Sequence, residues 1–340
     1  MATKIAAPST GAARPSALLG RLQQNRYLGP VGLAVALLAP FVTATSYSLS
    51  VMTSALLFVM LAVGLNIVVG YCGLLDLGYC AFFAIGAYVS GILATRYGWP
   101  LLATVPVVIA AAVVAGIVIG GPTLRLRSDY LAIVTLGFGE IIRITANNLP
   151  VTGGPSGIYG IPGLKIFSLD LSGPVALYYT CVVIVALAVL GAGRLGRSKL
   201  GRAWRFIRED EDAAEAMGIH TYKVKLAAYI AGAVWGGLGG ILFGAQLSAI
   251  SPPSFTFLWS ALILMAVVLG GMGSNPGVVL GAIFISVLPE LLRQAADYRY
   301  FVFGILLIVV MIFRPQGLWP AVAAERRSRR DKRKAKEVSQ

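Results

Sequence analysis

The chain has 340 residues, is 57% hydrophobic and 12% charged, and carries a net charge of +14. Soluble domains hold about a quarter charged residues, so this composition excludes a soluble globular protein and places the chain in a membrane. The single histidine, His220, excludes a histidine triad or a multi-histidine metal centre. Cys72, Cys80 and Cys181 sit in apolar runs without metal-ligand spacing and read as buried free thiols, so neither a metal nor a cofactor is expected.

In chain order, residues 1–27 are acid-free and rich in Ala, Ser and Arg, with no cleavage-like site, and read as a basic cytoplasmic tail. A helix needs about 20 apolar residues to cross the bilayer core. Runs of that kind fall at 28–46, 48–70, 75–95, 101–121, 130–149, 174–193, 226–248, 258–273, 276–292 and 300–314. The expected fold is all-α: a polytopic integral membrane protein of about ten transmembrane helices, with its transmembrane domain at 28–314 and a second basic tail at 315–340. The Gly-rich stretch 71–80 reads as re-entrant or broken, and Gly270–Gly277 separates two short spans. Lys and Arg gather in both tails, at Arg125 and Arg127, between Arg194 and Lys225, and at Arg314. An even number of spans puts all of these on one side, which the positive-inside rule names the cytoplasm. That distribution accounts for the positive charge without nucleic acid and leaves membrane lipid as the surrounding medium.

Polar residues inside spans are few. Glu140 lies about 10 residues into the fifth span, roughly 15 Å deep, and Arg143 shares its face. Two readings stay open for them, an intramembrane ion pair or the lining of a route through the membrane, with Gly137 and Gly139 on the same helix. Asp76, near a membrane surface, either caps a helix start or lines a vestibule. Glu290 and Arg293 are expected to pair at an interface, and Asn66 and Gln246 to hydrogen-bond between helices. The outer loop containing Thr152, Gly153, Gly154 and Gly157 is turn-rich and sits at a vestibule mouth or against an outer partner. The ladder Gly232, Gly236, Gly240 and Gly244 reads as tight helix packing.

The one long polar segment between the tails is 194–225. Ala203, Phe206, Ile207, Ala213, Ala214 and Met217 form one helical stripe, broken by Asp210, and Gly218 is placed to end the helix. Its charges keep it out of hydrocarbon. It is either a solvated surface helix or a docking surface for a soluble partner. No G-x-x-x-x-G-K-[ST] sequence occurs, so any ATP-driven work is borrowed from another chain.

Several stretches together, YCGLLDLGYCAFFAIGAY, LRLRSDYLAIVTLGFGEIIRI, TGGPSGI, LGRAWRFIREDEDAAEAMGI, SPPSFTFLWSALILMAVVLGGMGSNPG and FRPQGLWP, resemble LivM-type permease subunits of ABC importers for branched-chain amino acids. The resemblance runs from about 48 to 320. It implies a bacterial inner-membrane protein with both termini cytoplasmic and no enzymatic activity of its own. The implied partners are a LivH-type second permease, two cytoplasmic ABC ATPase subunits and a periplasmic substrate-binding protein. It also implies that Asp212, Ala213, Ala214, Glu215 and Gly218, with Trp204 and Ile207, couple the chain to the ATPases. Ser156 stands where relatives often have Asn. Relatives carrying urea or short-chain amides share much of the pattern, and a stand-alone secondary transporter is a third alternative, for which Glu140 is the candidate coupling residue.

Overall fold

The computed structural model describes residues 45–126, 128–166 and 169–291, together with 32, 34, 36–40, 304, 305, 308, 312 and 317–319. The expected spans 28–46 and 300–314 therefore lie largely, and both tails almost wholly, outside the described residues, as does Arg293 of the expected Glu290–Arg293 pair. Glu290 accepts a hydrogen bond from Tyr47 Oη.

The chain folds as helices in series. Thr45 starts α1 (Ser46–Leu65), its hydroxyl accepting from Ser48 N at 3.4 Å. The helix then widens into a π turn, Asn66–Tyr71. An irregular segment of residues 72–79 follows, and then α2 (Cys80–Arg96), α3 (Leu101–Thr123), α4 (Ser128–Asn148) and α5 (Pro174–Arg197). Two short helices, α6 (Lys199–Glu209) and α7 (Glu211–Ala216), precede α8 (Thr221–Leu247), α9 (Phe257–Gly270) and α10 (Asn275–Leu291). Strand β1 (Ile158–Tyr159) pairs antiparallel with β4 (Ala249–Ile250), and β2 (Lys165–Ile166) with β3 (Leu169–Asp170).

The eight expected spans from 48–70 to 276–292 each coincide with a helix. The second starts late, at Cys80 rather than 75, because residues 72–79 form a break in the membrane domain. Five helical segments of the described chain are long and apolar enough to cross a membrane, Ser46–Tyr71, Leu101–Thr123, Pro174–Arg197, Thr221–Leu247 and Pro252–Gly270, and α2 and α10 are shorter apolar helices.

Glycine decides how closely the helices pack. A Cβ on Gly86 would fall 2.0 Å from Gly237 O, and one on Gly240 would fall 2.3 Å from Ala87 N. The backbones of α2 and α8 are thus in direct contact, which only residues without side chains permit. In the hairpin of α9 and α10 a Cβ on Gly281 would meet Ala266 O at 2.3 Å. At the centre is α1, packed by α5, α8 and α10. Its apolar window is 78% buried, against 28% for the peripheral α3.

Candidate functional site

The polar segment is built from two helices rather than the single one expected. Ser198 Oγ accepts from Gly201 N at 3.2 Å and starts α6. Asp210 then takes an extended backbone (φ −160°, ψ 111°) and its Oδ1 accepts from Ala213 N at 3.0 Å, starting α7. A carboxylate competes for backbone N–H groups, so it ends one helix and caps the next. Gly218 (φ +83°) closes α7, where Gly218 N donates to Glu215 O at 2.9 Å and Ile219 N to Ala214 O at 3.1 Å. That is the paired-bond terminator which a left-handed glycine makes possible.

The apolar stripe does not face one way, and the break at Asp210 separates its two halves. Trp204 is fully buried and its Nε1 donates to Val224 O at 2.7 Å, while Ile207 and Ala214 are buried with it. These side chains fasten the segment to the start of α8, and the Lys225–Glu211 ion pair adds a second tie. Phe206 is 60% exposed and Met217 81%, among exposed Asp212, Ala213 and Glu215. The outward surface is therefore Phe206, Asp212, Ala213, Glu215 and Met217, whereas Trp204, Ile207 and Ala214, implied by the resemblance to take part in coupling, are buried.

One residue of α6 reaches deeper. Arg208 Nη1 donates to Gly70 O in the π turn, and its stem lies against Gly73, whose φ is +78°. Burial pulls its guanidinium below the ordinary arginine value and Glu209 pulls it up; an arginine stays charged through both. Behind this contact is a polar hub. Asn66 Oδ1 accepts from Gly273 N at 2.8 Å, Asn66 Nδ2 donates to Asn275 Oδ1 at 3.0 Å, and Tyr71 Oη donates to the same oxygen at 2.7 Å. The hub joins α1, the α9–α10 turn and, through Arg208, the polar segment. Asn66 was expected to bond between helices; Arg208 and Asn275 were not singled out. Gln246 bonds Ser54 Oγ at 2.7 Å. At this same end Arg125 lies 5.6 Å over the Tyr222 ring, so the α3–α4 turn shares a face with α6 and α7.

Residues 72–79 are held by α4. Asp76 is fully buried; its Oδ1 accepts from Gly78 N at 2.8 Å, in the manner of a carboxylate capping a turn, and its Oδ2 has no hydrogen-bond partner among the described residues. Thr135 Oγ1 accepts from Leu77 N at 3.1 Å, and a Cβ on Gly139 would sit 3.3 Å from Gly78 Cα. Two turns of α4 thus clamp the break. Further along, Arg143 Nε donates to both Glu140 carboxylate oxygens at 3.0 Å, and Nη2 completes the ion pair. At the opposite end of the molecule Thr152 is buried with its hydroxyl on Leu149 O at 2.7 Å. Gly153, Gly154 and Gly157 all have positive φ, and a Cβ on Gly157 would strike Ile250 O at 2.0 Å. This loop is seated on the strand that follows α8, and Arg96 Nη2 donates to Pro150 O at 2.9 Å.

The family model for the permease component of branched-chain amino acid transport systems matches residues 47–311. The chain is 41% identical to the high-affinity branched-chain amino acid transport system permease protein LivM of Escherichia coli, over 85% of this chain and 73% of that protein. It is 28% identical to a probable LivM of Methanocaldococcus jannaschii, over 78% and 90% of the two chains. It is also 25% identical to the Escherichia coli permease LivH, over 77% and 90%. No solved structure matches the chain.

Proposed function

Because this chain belongs to the permease-component family of branched-chain amino acid transport systems, we propose that it is the transmembrane subunit of an ATP-driven importer carrying branched-chain amino acids across a bacterial inner membrane. The observation that carries this reading is 41% identity over 85% of the chain to a permease named for that transport. The subunit binds and moves its substrate without covalent chemistry. It has no phosphate-cradling loop of its own. Hydrolysis therefore falls to two cytoplasmic ATPase subunits, delivery to a periplasmic binding protein, and the other half of the pore to a second permease of LivH type.

In this reading the face bearing α6, α7 and Arg125 is cytoplasmic, as are both basic tails, which follows the positive-inside rule. Phe206, Asp212, Ala213, Glu215 and Met217 dock on the ATPase, an apolar patch ringed by charge. Trp204, Ile207 and Ala214 hold that patch on the membrane domain, and Gly218 fixes the angle at which α7 gives way to α8. Arg208 carries a displacement of α6 to the π turn and the break beside it, where Asp76, Gly139 and α4 border the substrate route. The loop of Thr152, Gly153, Gly154 and Gly157 faces the periplasm and receives the binding protein. Alternating access then comes from rocking of packed helices, with the break and the glycine contacts as the movable joints.

Uptake of labelled leucine, urea and a short amide in a strain lacking this gene tests the reading. Restoration of leucine uptake by the wild-type gene, dependent on the ATPase subunits, is the expected result. Restoration of urea or amide uptake alone reassigns the substrate, and uptake that persists without the ATPases makes the protein a secondary transporter.

A further inference from the structure

Helix α4 has the surface least suited to lipid. At 21 residues it is long enough to span the membrane, yet it falls outside the described helices apolar enough to do so unaided. Tyr130, Ile133, Leu136, Ile141 and Ile144 stand exposed along it. In their midst lies the Glu140–Arg143 pair, with side chains 41% and 28% exposed. The outward residues of α5, Val183, Leu187 and Leu190, are aliphatic, as are Val114, Ile117 and Val118 of α3. Hydrocarbon accepts those two faces as they are. On α4 a charge in hydrocarbon is costly to insert, and pairing within the helix offsets only part of that cost. One turn before Glu140, a Cβ on Gly137 would find nothing within 4 Å. The face therefore combines charges that lipid penalises with a glycine notch that admits the close approach of another backbone.

We propose that the outward face of α4 is the seam with the second permease subunit, whose corresponding helix closes the Glu140–Arg143 pair off from lipid. The proposal rests on the pairing inferred above and adds to it the surface through which the pair forms. The occupant follows from the likeness of this chain to LivH as well as to LivM, since both permeases of one system then carry the same pattern over most of their length. Related subunits close a two-membered assembly most simply through equivalent patches about a two-fold axis. The same helix of the partner is then the one that meets α4, and the ion pair lies at the centre of the pore-forming unit rather than at its rim.

Photo-crosslinking in the assembled, purified importer tests this. Benzoylphenylalanine is placed singly at Ile133, Ile141 or Ile144, with Leu187 of α5 as the lipid-facing reference, and products are identified by mass. The expected result is adducts joining this chain to the second permease from the three α4 positions and none from Leu187. Lipid adducts alone from α4, with the second permease present in the preparation, overturn the seam and leave the importer reading intact. Adducts joining two copies of this chain overturn it in favour of a homodimer. Adducts to the second permease from Leu187 instead place the seam on α5. A preparation without any second permease overturns the seam and the pairing on which it rests.

Discussion

The α6–α7 segment and the middle of α4 both combine charged and apolar side chains, and they arrange them in opposite ways. In the segment the large apolar groups Trp204 and Ile207 turn inward and most of the charges face out, so the charges are satisfied by water. On α4 the charges Glu140 and Arg143 share an outward face with bare isoleucines, in a helix of membrane-spanning length. The comparison teaches that an ion pair has no fixed meaning. At the water boundary it is ordinary surface, whereas in the bilayer it marks a face that protein or water must cover.

The largest effect should come from Trp204→Ala. It removes a fully buried indole and its bond to Val224 O, a loss of about 3–5 kcal/mol. Thermal unfolding of the purified complex should show a clear drop, while Phe206→Ala should leave the transition nearly unmoved and weaken ATPase association. Equal shifts for both would break the inward–outward distinction.

Next are Glu140 and Arg143. Glu140→Ala or Arg143→Ala alone strands a charge at a cost of about 3 kcal/mol, and removing both avoids it. Membrane abundance should fall for each single variant and recover in the double one. If abundance holds in all three while Glu140→Ala alone stops uptake, Glu140 acts on the substrate or a proton.

A smaller effect is expected at Gly218, whose φ of +83° costs a side chain about 1–2 kcal/mol. Gly218→Leu should insert normally yet lose transport, because α7 no longer ends at the right angle. Normal transport-coupled ATP hydrolysis would show that the cap does not set the docking geometry.

The smallest effect on stability belongs to Asp212→Lys, at an exposed position where substitutions stay within about 0.5 kcal/mol. Uptake should nonetheless be lost if, as proposed, this surface docks on the ATPase. Unimpaired uptake would reduce the segment to a solvated face and remove one side of the comparison.

Much of this architecture is legible in the sequence because hydrocarbon imposes length: spans such as 101–121 and 174–193 become α3 and α5 with ends moved by a few residues. The glycine ladder of α8 was likewise readable as close packing. Periodicity failed in two ways: within α6, Phe206 faces out while Trp204 and Ile207 turn in, and at Asp210 an extended residue resets the phase, so that in α7 Ala214 turns in and Met217, just past the helix end, faces out. Asp76 looked superficial because it sits at the start of a hydrophobic run, yet the break at 72–79 folds it into the interior. The bond from Arg208 to Gly70 spans 138 residues of sequence, and no local pattern signals a contact between such distant positions.

The centrality of α1 has a consequence for synthesis. It is made before α5, α8, α9 and α10, which pack around it, and the amide of Asn66 finds Asn275 only 209 residues later. At about 5–20 residues per second, that interval is roughly 10–40 s. Through that time α1 must rest among lipids or insertion factors, which its apolar run from Ala55 to Leu65 and the bonds of Ser50, Thr53 and Ser54 to their own helix carbonyls allow, while the Asn66 amide in the π turn still awaits its interhelical partner. The innermost helix of the finished molecule is thus long exposed in the making, and its hub closes only when the α9–α10 turn arrives.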